Sequence, residues 1–195
     1  LRQERNTIIT QYTGSDGTEL SVNNISNLHP NLLHIATHGF YYDEDCDPSN
    51  GNSSNGDNNS ISVESRAMKE SGLLLSGANH KLMGEEVTDE HNDGILTAEE
   101  ISNISLSGVE MVVLSACETG LGSVSGEGVF GLQRGFKLSG VNCIVMSLWK
   151  VDDEATKELM TNFYKNLLKG SSKIEALKEA QKKIRETPGY EDPEY

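Results

Sequence analysis

Cysteine is scarce in this chain: three residues, Cys46, Cys117 and Cys143, among 195. An odd number at wide spacing makes neither a disulfide framework nor a CxxC metal site. A reducing, cytoplasmic location is therefore expected, with no metal and no cofactor. Basic charge is also in short supply. Sixteen Lys and Arg stand against thirty Asp and Glu, a formal net charge of −14. Contact with nucleic acid, whose phosphates need cations, is not expected, nor is an anionic membrane surface. Long apolar runs are missing: no stretch reaches the roughly 18 residues that a transmembrane helix needs. The chain opens Leu1-Arg2-Gln3-Glu4-Arg5, without an initiator Met or a signal-like apolar segment. It is expected to be a piece of a longer protein, forming a single domain over residues 1–195. No internal repeat is found.

What is present centres on Met111-Val112-Val113-Leu114-Ser115-Ala116-Cys117-Glu118-Thr119-Gly120. An apolar run bounded by glycine reads as a strand buried on both faces. It delivers Cys117 to its carboxyl end, where open α/β sheets bind their ligands. Leu32-Leu33-His34-Ile35-Ala36-Thr37-His38-Gly39 has the same form and delivers His38. A thiol and an imidazole at the ends of two core strands are the ingredients of a cysteine-nucleophile site.

Around these strands the chain alternates. Thr7-Ile8-Ile9-Thr10 is a plausible edge strand, and residues 31–37 form the first core strand. Residues 43–60 hold no aliphatic side chain and cannot offset their ordering entropy by burial, so they form a mobile polar insertion. Ser71–Gly77 is a short buried strand, and residues 85–93 an acidic, solvated loop without the spacing of an EF-hand. Thr97 and Glu100 make a capping box that opens a helix. The central strand spans about 109–116, a helix 127–138 ends at Gly140, and another buried strand covers 142–149. Asp152 or Asp153 caps a helix whose apolar face is Leu159, Met160, Phe163, Tyr164, Leu167 and Leu168. Ser172 and Glu175 open the last helix, closed by Pro188. The result is an α/β fold with a mostly parallel sheet covered on both faces.

Each candidate has a plainer reading. Cys143, inside its strand, is a core residue, and Cys46 in the insertion is incidental. His34 lies four before His38, but a helical zinc pair needs Glu directly after the first His, and Ile35 stands there. His34 is thus a packed strand residue. His29, His80 and His91 lie in loops without partners. Gly126, Gly128 and Gly131 match GxGxxG but do not follow directly on a strand. They read as a flexible substrate-lining loop leading to a helix.

Four blocks then stand in order: His34-Ile35-Ala36-Thr37-His38-Gly39; Asp93-Gly94-Ile95-Leu96-Thr97-Ala98-Glu99-Glu100-Ile101; Val112 to Gly120; and Ser147-Leu148-Trp149-Lys150-Val151-Asp152-Asp153-Glu154-Ala155-Thr156. Together they resemble the CHAT domain family, caspase-like domains usually fused to tetratricopeptide repeats. The resemblance covers roughly residues 28–186. The family is similar to caspases, separases and gingipains, with a caspase-haemoglobinase fold and a His/Cys dyad.

That resemblance implies a cysteine peptidase acting on a protein or peptide substrate, with an upstream repeat region in the full-length protein. Cys117 would be the nucleophile and His38 the general base and acid. The backbone N–H groups of Gly39 and Cys117 would form the oxyanion hole. No third member is nominated. In separases an acidic residue four positions after the equivalent of Trp149 meets an arginine at the cleavage site; here that position is Asp153, which would bind a guanidinium bidentately. Against this, Asp152 or Asp153 is simply the helix cap. The alternative to a peptidase is a catalytically silent interaction module of a repeat protein.

Overall fold

The computed structural model describes residues 7–41, 63–85, 92–115, 126–147 and 151–190. The chain divides into two compact units, Leu1–Met146 and Ser147–Tyr195.

In the first unit the apolar run at the centre of the sequence becomes β5, Met111–Leu114, with all four side chains buried. It lies between β1, Leu32–Ile35, and β6, Ile144–Met146, in a three-stranded parallel sheet. β1 has a single neighbour among the described residues, and its exposure follows: Leu32 and His34 are open to solvent while Ile35 is buried. The full burial expected of two core strands therefore belongs to β5 alone. A second sheet is antiparallel, in the order β2 (His38–Tyr41), β3 (Ser71–Leu74), β4 (Ile95–Thr97). The mixed α/β architecture with a parallel sheet is the class expected, and it accords with a caspase-like arrangement.

Helices fill the intervals: α1 (Glu19–Asn23), α2 (Ile25–Leu28), α3 (Val63–Glu70), α4 (Ala78–Leu82), α5 (Ala98–Asn103) and α6 (Gly126–Leu138). The capping box at α5 is present in full: Glu100 N–H donates to Thr97 Oγ1 at 3.2 Å and Thr97 N–H donates to Glu100 Oε2 at 2.8 Å. Phe136, Leu132, Leu73, Leu96, Ile101 and Leu106 form the centre of the core with Val112. Gly126, Gly128 and Gly131 lie within α6 rather than in a loop before it. At Gly131 an added Cβ would collide with the Ala67 carbonyl and Ser71 Oγ, and at Gly135 it would lie 2.5 Å from the Ala98 carbonyl oxygen. These two glycines let α6 pass close to α3 and α5, a packing role and not a substrate-lining one.

Residues 7–13 form no strand, and Ile8 and Ile9 are 91% and 81% exposed. β-Branched composition without a ladder partner does not make a strand. Cys143 lies just before β6 and is half-buried, not inside a strand core; its carbonyl accepts from Val112 N–H at 2.9 Å. The polar insertion with Cys46 lies outside the described residues, as does most of the acidic loop. Of that loop Asp93 is described, and it is buried rather than solvated.

The second unit holds α7 (Asp153–Leu168) and α8 (Lys173–Arg185), paired antiparallel. Lys183 Nζ donates to Asn162 Oδ1 at 2.8 Å, and Asn166 Nδ2 donates to the Ala176 carbonyl at 3.3 Å. Phe163 is buried from α7, and Ala176, Ala180 and Ile184 from α8. Leu168, expected on the apolar face of α7, is 71% exposed at its last residue. A polar groove of about 400 Å³ runs along this hairpin, lined by Lys157, Lys165 and Lys183 among others.

Candidate active site

Parallel pairing sets the geometry. Leu32 faces Met111, His34 faces Val113, and Ile35 faces Leu114. The last rung is Ser115 N–H donating to the Ile35 carbonyl at 2.9 Å. Both strands thus end at one rim of the sheet. Neighbouring strands lie about 4.8 Å apart, so chain segments leaving that rim start side by side.

His38 leaves β1 by a short turn and opens β2, with its side chain exposed. Thr37 Oγ1, just before it, donates to the Leu74 carbonyl and anchors the turn on β3. Gly39 follows, buried, opposite Leu73. Cys117 lies outside the described residues, three positions beyond the end of β5, and Trp149 also lies outside them.

Asp152 and Asp153 are resolved into separate roles. Asp152 is the N-cap of α7, its Oδ1 accepting from Ala155 N–H at 2.8 Å. Asp153 is the first helical residue, exposed, and its carboxylate is not the cap.

The structure also brings together residues that sequence reasoning left apart. His34 Nε2 lies 2.7 Å from Ser115 Oγ. His34 is an exposed, hydrogen-bonded side chain rather than a packed one, and desolvation where its ring is partly covered lowers its pKa below the ordinary histidine value. A signal existed in the sequence: strand periodicity puts residues 34 and 113 on the same side as residues two further on, and Ser115 is the first polar residue after the apolar run. His80, expected to lack a partner, sits on α4 with Nδ1 at 2.5 Å from Glu85 Oε2. His29 is exposed, ending α2 in a left-handed conformation at φ 46°, and His91 lies outside the described residues.

Glu19 was also missed. It is 1% exposed, and its Oε1 accepts from Gly94 N–H at 2.5 Å. Burial pushes its carboxyl up to about 7, with Glu100 and Asp93 adding to the rise and the Gly94 N–H and Lys81 opposing it. Asp93 pairs with Lys81 and accepts from Ile95 N–H at 2.8 Å. Gly94 holds φ at +86°, and a Cβ there would collide with the backbone of Ala78. The block Asp93-Gly94 is therefore a tie between α1, α4 and β4. Among the described residues no group of His, Cys, Asp and Glu is arranged to hold a metal ion, and no helix is long and apolar enough to cross a membrane.

One family profile, described as the CHAT domain, matches residues 3–195. Among characterised proteins the chain is similar to tetratricopeptide repeat protein 28 of Mus musculus and of Homo sapiens, each 33% identical over 99 residues. That match takes in 51% of this chain and 4% of each relative, so the chain spans a small part of their length. No solved structure matches.

Proposed function

Because the chain belongs to the CHAT domain family, a caspase-like group related to cysteine peptidases, we propose that it is a cysteine endopeptidase in which Cys117 and His38 form the dyad. One observation carries this reading: the register that sets Ile35 opposite Leu114. That register ends β1 and β5 at one rim of the sheet, so the segments that lead on to His38 and to Cys117 leave from adjacent positions.

The chemistry follows from the residue types. A thiol is only a few per cent ionised at neutral pH, and a neighbouring imidazole supplies thiolate. Cys117 Sγ attacks the peptide carbonyl carbon. His38 gives its proton to the leaving amine as the C–N bond breaks, which leaves a thioester. His38 then takes a proton from water, which attacks the thioester and frees Cys117. The oxyanion of both tetrahedral stages would accept from the N–H groups of Gly39 and Cys117, and losing one such donor costs on the order of 100-fold in rate. Since Asp152 serves as the cap, the carboxylate of Asp153 is left to meet an Arg or Lys side chain of the substrate. A reducing, cytoplasmic compartment would keep Cys117 as a thiol.

Incubating the full-length protein with candidate partner proteins should give fragments that disappear with Cys117→Ala and with His38→Ala. Equal fragments from wild type and Cys117→Ala would rule the peptidase out. A second reading is favoured by the relatives, which are tetratricopeptide repeat proteins: a silent module that binds a partner protein. It predicts that Cys117→Ala leaves partner binding intact while Cys117 ignores electrophilic peptide probes.

A further inference from the structure

We propose that His34 and Ser115 are positioning residues, a side-chain clamp across the ends of β1 and β5 that fixes how His38 meets Cys117. The proposal rests on the peptidase reading above.

The clamp sits where the dyad would need it. His34 Nε2 and Ser115 Oγ are 2.7 Å apart, although the two residues are 81 positions apart in the sequence. Ser115 carries the last backbone rung to Ile35, so its hydroxyl adds a second tie at the end of the ladder. It stands two residues before Cys117, and His34 stands four before His38. Strand ends fray when only a terminal backbone bond holds them. A cross-strand side-chain bond resists that opening and any shear between the two strands. The turn into His38 is already pinned on its other side, where Thr37 Oγ1 bonds the Leu74 carbonyl. With both ties in place, the segments leading to residues 38 and 117 depart from a fixed base. Such a base matters because a misplacement of about 1 Å between reacting groups costs roughly 100-fold. His34 itself has no proton-transfer role in the proposal. Desolvation lowers the pKa of its ring, which disfavours a second cation there.

The test uses the full chain with Cys46→Ser and Cys143→Ser, which leaves Cys117 as the single thiol. The rate of Cys117 alkylation by iodoacetamide and the kcat and KM for a cleaved peptide are measured. Ser115→Ala and His34→Ala should each slow alkylation and lower kcat by about tenfold or more, with KM little changed. The double variant should be no slower than either single one, since each already breaks the same bond. Ser115→Thr, which keeps the hydroxyl, should restore the rate. The thermal midpoint of Ser115→Ala should fall by no more than about 2–4 °C, the shift for loss of one hydrogen bond in a chain of this length. Should His34→Ala not fold, Ser115→Ala and its Thr rescue decide the matter. Reactivity that depends on His38 but ignores Ser115→Ala overturns the clamp alone, as does a double variant whose losses multiply. Reactivity that ignores His38→Ala sinks the dyad, and the clamp with it.

Discussion

Replacing Glu19 by Gln should change how stability depends on pH. In the folded chain burial raises this carboxyl from 4.5 to about 7. A carboxyl raised on folding favours the protonated form. Its contribution is therefore complete below pH 4.5, is lost progressively as pH rises towards 7, and stays lost above that. Each pKa unit is worth 1.36 kcal/mol, so the full swing comes to about 3.4 kcal/mol. Water entering the site on ionisation would reduce it, and about 1–3 kcal/mol is expected. Gln keeps an oxygen for the Gly94 N–H but cannot ionise. Urea unfolding of both proteins at pH 4.5 and pH 8 measures the effect. The difference in stability between variant and wild type should move in favour of the variant by that amount from the lower pH to the higher. Any constant penalty from the added amide cancels in this comparison. If the two pH curves run parallel, the carboxyl is already ionised in the folded state at acid pH, and the account of Glu19 is wrong.

Two further outcomes follow from packing and capping. Gly131→Ala adds a methyl where the Ala67 carbonyl and Ser71 Oγ stand. It should destabilise by about 1–3 kcal/mol in urea unfolding, even though alanine is the better helix former. Asp152→Ala should cost about 1 kcal/mol through loss of the α7 cap. Asp153→Asn should leave stability nearly unchanged while reducing cleavage after Arg; equal loss of stability from both would return Asp153 to the cap.

The parts of the fold that were legible in the sequence are those with a local cause. β5 announced itself by an unbroken apolar run, and α5 and α8 by capping residues three apart, which need no distant partner to form. What escaped depended on contacts between remote segments. Thr7–Thr10 has strand composition, but no ladder among the described residues takes it up. Gly131 read as part of a loop because glycine lowers helix propensity; its cause is the Ala67 carbonyl of α3 close by. Asp93 looked like a solvated acid and Glu19 drew no notice, since nothing local reveals that α1 folds over Gly94. At the candidate site His38 was expected at the end of the first core strand, whereas it follows a turn and opens β2, and Cys117 lies outside the described residues. The His34–Ser115 bond was not read, because strand alternation gives each residue's face but leaves open which strand lies beside which.

The neighbours β1 and β5 are joined by one long excursion of the chain, residues 36–110. Closing such a loop costs entropy that grows only with the logarithm of its length, so doubling or halving it changes the cost by about 0.6 kcal/mol. Residues can therefore be gained or shed within residues 43–60 at almost no thermodynamic expense to the sheet. The parallel pairing of β1 with β5 is in this way insulated from changes in the length of the chain that joins them.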